Sequence, residues 1–263
     1  MKKSFNLYWH NIKNQSQIKI LFLLLGCLFL MQSCEKQIKK KVPQQNRSVE
    51  IKRISKKADA FFDNSICDSA YIYFNKVILL WNPKTDDVED YVYALSCIAN
   101  LQQNNSDYTG SEETLTKTLP YLKKIKNPKY TYNVYTLLAY NYYFTSDNKN
   151  ALLYHKKALK LAKTSFKKSE IINDIIPIYI SQKRYSEAAA ILIPLAAKKI
   201  TNKKKPKRAD LNYSLILDNL GYCYYRLGNP KALECLNKSL KIKLVLKDDY
   251  ALFGTYNLSL IHI

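Results

Sequence analysis

Glycine and histidine are scarce in this chain. Five glycines and eight prolines among 263 residues exclude collagen-like and Pro/Gly-rich disordered classes, and 47% hydrophobic with 24% charged residues is ordinary globular composition. Of the three histidines, His10 and His262 sit near the two ends, so only His155 lies in the body of the chain. A packed, hydrogen-bonded core role is expected for it rather than ligation. No Gly-rich phosphate loop, nucleophile elbow or paired metal-ligand spacing is present. The expectation is therefore no enzyme, no catalytic residue, no metal, no cofactor and no small-molecule substrate. Acidic residues are also few, 21 against 42 Lys and Arg, which gives a net charge of +21 and favours anionic surfaces as partners.

Long apolar runs are missing as well. The run Ile20 to Met31 has 12 residues, and at ~1.5 Å per residue it reaches about 18 Å, short of the ~30 Å hydrocarbon core. It follows Lys2, Lys3, Lys13 and Lys19 with no acidic residue before it, and it ends in Gln32-Ser33-Cys34, the layout of an export signal. A small residue directly before Cys, with Met31 at the third position upstream, resembles the lipobox of bacterial lipoproteins. That resemblance implies fatty acylation of Cys34 and membrane attachment in the cell envelope, facing the periplasm or the cell surface. Met31 and Gln32 depart from the strict pattern, and an ordinary cleaved signal or an uncleaved anchor is the alternative. The leader accounts for four of the 42 basic residues and none of the acidic ones, so the basic excess belongs to the mature chain. Residues 35–49 lack apolar periodicity and carry Pro43, Gln44, Gln45 and Asn46, which predicts a flexible basic tether over 34–49.

Beyond the tether one pattern recurs. A small residue is followed four positions later by a large one: Ala70 and Phe74, Ser111 and Leu115, Ala151 and His155, Ala188 and Leu192, Ala232 and Leu236. The small sites are 41, 40, 37 and 44 residues apart. Upstream stand Ala58, Ala99, Ala139, Ile176 and Gly221, and three residues after each comes Phe61, Gln102, Tyr142, Tyr179 or Tyr224. Polar turns separate the two sites, among them Ser146-Asp147-Asn148 and Gly228-Asn229-Pro230. Two antiparallel helices approach closely only where small side chains meet at the crossing. Each pair leaves an apolar face that the next pair covers, so stability comes from stacking.

The pattern resembles the tetratricopeptide repeat, best in the third copy with Ala139, Tyr142, Ala151, Ala158 and Leu159 in register. The second copy is weakest, with Gln102 and Ser111 at signature sites, and the fourth places Pro177 and Pro194 inside helices, where each should kink its helix. The resemblance implies an all-α, right-handed superhelical solenoid of antiparallel helix pairs over 50–257, about five pairs and the start of a sixth. It also implies a scaffold that binds a peptide or protein partner along the inward face of each first helix. Carried over, that face holds Asn100, Gln103, Asn133, Thr136, Tyr140, Tyr143, Asn173, Asp218, Tyr222, Tyr225 and Arg226. Tetratricopeptide lipoproteins of Gram-negative, Bacteroidota-like bacteria share the overall layout. An alternative of another class is the sensory region of a membrane-bound signalling or transcription-regulator protein with a missing C-terminal effector.

Three further features need a reading. Residues 258–263 (LSLIHI) match a translated transposase adapter end, and the expectation is a reading frame truncated near Asn257. Cys223 and Cys235 fall on the two helices of one repeat, where a disulfide is conceivable and buried free thiols are the commoner state. The basic runs Lys198–Arg208 and Lys123–Lys129 are placed in loops between repeats as solvated connectors, with anionic lipid or polysaccharide as the secondary reading and no nucleic acid as partner.

Overall fold

The computed structural model describes residues 44–198 and 206–247. All regular structure among these residues is helical, with no strand. In chain order the helices are α1 (Gln44–Asp63), α2 (Cys67–Leu80), α3 (Val88–Asn104), α4 (Tyr108–Thr116), a 3-10 helix (Leu119–Lys124), α5 (Pro128–Phe144), α6 (Asn148–Leu161), α7 (Ser165–Ser181), α8 (Tyr185–Ala197), α9 (Pro206–Arg226) and α10 (Ala232–Leu246). Cys34, the leader, most of the expected tether, the expected sixth helix and residues 258–263 lie outside the described residues. The chain divides into two compact units between Leu101 and Gln102.

The repeat register holds at every copy. Ala58, Ala70, Ala99, Ser111, Ala139, Ala151, Ile176 and Ala188 are fully buried, and so are the large partners Phe74, Leu115, Leu192 and Leu236. Gly221 shows what the small site is for: a Cβ there would stand 2.9 Å from Leu236 Cγ and 3.2 Å from the Ala232 carbonyl oxygen. Helix α9 meets α10 at that point, and no side chain fits between them.

The same turn recurs five times. Ser65, Ser106, Ser146, Lys183 and Gly228 all adopt left-handed φ, between 58° and 66°. In each case the next residue donates its N–H five residues back, as Asp107 does to Gln102 O and Asp147 to Tyr142 O, both at 2.8 Å. The left-handed residue itself bonds three back. This double bond satisfies carbonyls at the end of the first helix. The same Asp107 and Asp147 then cap the second helix through their carboxylates, accepting from Gly110 N at 2.9 Å and Asn150 N at 3.0 Å. One residue thus closes one helix and opens the next, the opening bond alone contributing about 1 kcal/mol.

In the first unit, α1 packs along α2, and Arg47 reaches the turn before α3, donating from Nε to Asp86 at 3.0 Å and from Nη2 to Thr85 at 2.9 Å. The expected tether is therefore corrected at its end. Residues 44–49 belong to α1, because a buried ion pair and a buried Ile51 hold its first turns. Trp81 stacks on Tyr91 at 4.1 Å and donates to Asp87 O at 2.9 Å, closing that unit's turn.

In the second unit the prolines do not end their helices: α7 continues past Pro177 and α8 past Pro194. The expected loop Lys198–Arg208 is also corrected, since Pro206–Arg208 form the first turn of α9, with Pro at the position that needs no donor. Lys123 and Lys124 likewise lie on the 3-10 helix. Cys223 and Cys235 are free and buried, and burial pushes the Cys223 thiol up to about 11.

Candidate functional site

Three first helices, α5, α7 and α9, line one pocket of about 340 Å³ in the second unit. From α5 come Tyr132, Thr136 and Tyr140, each one helical turn apart and therefore on one face. Helix α7 adds Glu170, Asn173 and Asp174, and α9 adds Arg208, Leu211, Asn212 and Leu215. Arg208 Nε donates to Glu170 Oε1 at 2.6 Å across the mouth. Deeper, the Tyr140 hydroxyl stands beside the Asp174 carboxylate. Burial raises Asp174 to about 7, with repulsion from Glu170 adding to the rise and the Tyr140 hydroxyl and the Arg208 guanidinium opposing it. Burial also raises the Tyr132 and Tyr140 phenols, so both stay protonated donors.

Thr136, Tyr140 and Asn173 are the expected groove residues that meet in this pocket. They differ in availability. The Asn173 side chain is almost fully buried and its amide donates to Asn212 O at 3.0 Å and Asn212 Oδ1 at 2.8 Å, so it ties α7 to α9. Asn212 passes the chain on to Ser169 Oγ at 2.8 Å. Thr136 bonds the Tyr132 carbonyl of its own helix at 2.9 Å. Gln103 donates to Leu137 O at 2.8 Å and Asn141 Oδ1 at 2.7 Å, again a tie between successive first helices.

Asp218 is a correction. It is buried and paired with Lys243 of α10, itself 1% exposed, so it faces its own second helix and not an open groove. Asn133 and Tyr143 are half-buried on α5, and Tyr143 meets Phe144 edge-on at 5.4 Å. Asn100 is half-buried in the first unit. The half-buried Tyr222 and the exposed Tyr225 and Arg226 lie apart at the end of α9, where Arg226 Nη1 donates to the Tyr222 hydroxyl at 3.0 Å and its guanidinium lies 4.6 Å from the Tyr185 ring.

Sequence reasoning missed Glu170, Asp174, Arg208 and Leu215. Tyr132 lies four residues from Thr136 and Glu170 three from Asn173, so a helical-face count from those two expected residues would have found both. His155 behaves as expected in burial, at 1% exposure, but not in bonding: its Nδ1 has no partner among the described residues. It packs edge-on against Tyr140 at 6.0 Å, and burial holds it down to about 4. Among the described residues, no cluster of three metal-binding side chains occurs and no helix is long and apolar enough to cross a membrane.

No family model matches the sequence, and no curated protein matches it. Solved structures do. The nearly identical TPR-like repeats of Podosopora anserina superpose with a TM-score of 0.57 at 15% identity, over 76% of this chain and 97% of that one. The MamA protein gives 0.52 at 13% identity, over 73% and 91%. YrrB gives 0.50 at 18% identity, over 78% and 90%. The fold is that of a tetratricopeptide-like repeat array. In tetratricopeptide terms the pocket lies on the first helices of repeats three, four and five, and the ladder Ser169–Asn212–Asn173 sets the spacing between the last two.

Proposed function

We propose that the chain is a membrane-anchored scaffold that binds a polypeptide partner along the first helices of its tetratricopeptide-like repeats. The observation that carries this reading is the open pocket between α5, α7 and α9, whose walls combine two tyrosine rings and Leu215 with hydroxyl, carboxylate and guanidinium groups. Such a mixture offers flat apolar area together with hydrogen bonding, at modest cost in side-chain entropy. YrrB, described as a TPR protein with an unusual peptide-binding site, supports the reading by its fold.

Thr136→Arg tests it, because a long side chain on the α5 face fills the pocket without entering the core. Partners crosslinked to the wild-type protein in its own cell envelope should be lost from this variant, and equal recovery refutes the groove. The anchor rests on the leader and Cys34. Cys34→Ala should abolish incorporation of a labelled fatty acid, and unchanged labelling refutes that part alone.

A further inference from the structure

The pocket between α5, α7 and α9 has a polarity opposite to that of the chain around it. The sequence carries twice as many basic as acidic side chains. The ionisable groups that face the pocket are Asp174 and Glu170 from α7, Tyr132 and Tyr140 from α5, and Arg208 from α9. Arg208 is committed to Glu170 at 2.6 Å, so those two charges offset each other. Asp174 has the neutral Tyr140 hydroxyl and the weaker, longer-range attraction of Arg208, and no described basic side chain forms an ion pair with it. Leu215, 40% exposed, adds an apolar rim.

We propose that this pocket takes one lysine or arginine side chain of a polypeptide partner, the aliphatic stem against Leu215 and the tyrosine rings, the cation at the Asp174 carboxylate. The inference rests on the groove reading above and adds the chemistry of the anchor residue. A carboxylate drawn out of water without a counter-ion is costly, and a bound cation removes that cost. Tyrosine faces beside the carboxylate attract the same guest. An acidic anchor would put like charges against Asp174 and Glu170, and an apolar one would strip water from Asp174 without replacing it. Complementarity therefore selects a cation.

The test uses peptides blocked at both ends and identical except for a central Lys, Arg, Gln, Leu or Glu, titrated into the purified protein near pH 8 and near pH 5.5. Lys and Arg peptides should bind at least ~10-fold tighter than Gln near pH 8, the factor of a net charged pair. With Asp174 raised to about 7 in the free protein, its ionised fraction falls from about nine-tenths near pH 8 to about three-hundredths near pH 5.5, and a ~10-fold Lys advantage should shrink to near parity. Asp174→Asn should remove both the preference for Lys and Arg over Gln and its pH dependence. In the wild-type protein, saturating Lys peptide should lower the titration midpoint of the Asp174 carboxyl carbon followed by NMR. Equal binding of all peptides, tighter binding of Glu, or an unmoved midpoint overturns the cation proposal and leaves the groove standing. Failure of every peptide to bind removes the groove reading and this one with it.

Discussion

Replacing Asp174 with Asn should stabilise the protein near pH 8 and make it more sensitive to acid. Two desolvated groups with opposite responses produce this result, the buried His155 and the half-buried Asp174. Asp174 is raised from 3.8 to about 7, so its stabilising share is complete below 3.8 and is lost as pH rises through 7. His155 is lowered from 6.5 to about 4, so the fold loses stability as pH falls from 6.5 toward 4, where the unfolded chain takes up a proton that the native imidazole refuses. At 1.36 kcal/mol per unit, moving from about pH 8 to about pH 5 regains roughly 2 to 3 kcal/mol at Asp174 and forfeits about 2 kcal/mol at His155. In the wild type the two nearly cancel. Urea unfolding at both pH values should show Asp174→Asn gaining about 2 to 4 kcal/mol near pH 8 and then losing about 2 kcal/mol more than wild type toward pH 5. His155→Gln, compared with itself at the two pH values, should grow more stable toward acid by a similar amount relative to wild type. Parallel pH profiles for wild type and Asp174→Asn would show that Asp174 is not desolvated in the fold.

Three other perturbations address the repeat packing. Gly221→Ala gains about 1 kcal/mol of helix propensity but forces a Cβ to within 2.9 Å of Leu236, and overpacking of about 1 to 3 kcal/mol should win, lowering the denaturation midpoint. Gly221→Val should be worse, and a neutral Gly221→Val would refute close packing at that crossing. Lys183→Gly relieves a left-handed φ of 59° and should add about 0.5 to 1 kcal/mol, read as a rise in Tm, whereas Gly228→Ala should lose about as much. Asp218→Ala removes the carboxylate paired with the buried Lys243 and should cost about 3 to 5 kcal/mol in urea unfolding. The double change to Leu and Met should recover most of that, and failure to recover it would show that the pair contributes net stability.

The fold was legible because each repeat states the same requirement several times over. The small site, its large partner four residues later and the polar turn between helices all follow from packing two helices closely, and any one of them fixes the others. Asp107 and Asp147 could be placed as turn residues for that reason, although the sequence does not reveal that one carboxylate serves two helix ends. The start of α1 was less legible. Residues 44–49 read as solvated by composition, and they are helical because Arg47 finds Asp86, 39 positions away, a pairing with no local signature. The groove was legible only as a face. Family positions named Asp218, whose partner Lys243 on α10 draws it into the repeat, and passed over Asp174 and Arg208, which line one pocket from two different first helices.

Asp174 also explains why the pocket is the best place to look for function. Elsewhere local propensity, turn chemistry and packing agree, as a sequence that specifies one structure should. At the pocket they conflict: a partly buried carboxylate without an ion-pair partner faces a phenol, where asparagine would offer the same phenol an acceptor and remove the burden. Structural requirements alone favour the amide at this site. A residue that the fold would be steadier without is either indifferent or retained for its charge, and stability is commonly given up at binding sites for that purpose. The stability gain of Asp174→Asn and its loss of lysine binding are therefore two readings of one desolvated charge. A variant that gained stability yet kept the full Lys preference would separate them and place the cation elsewhere in the groove.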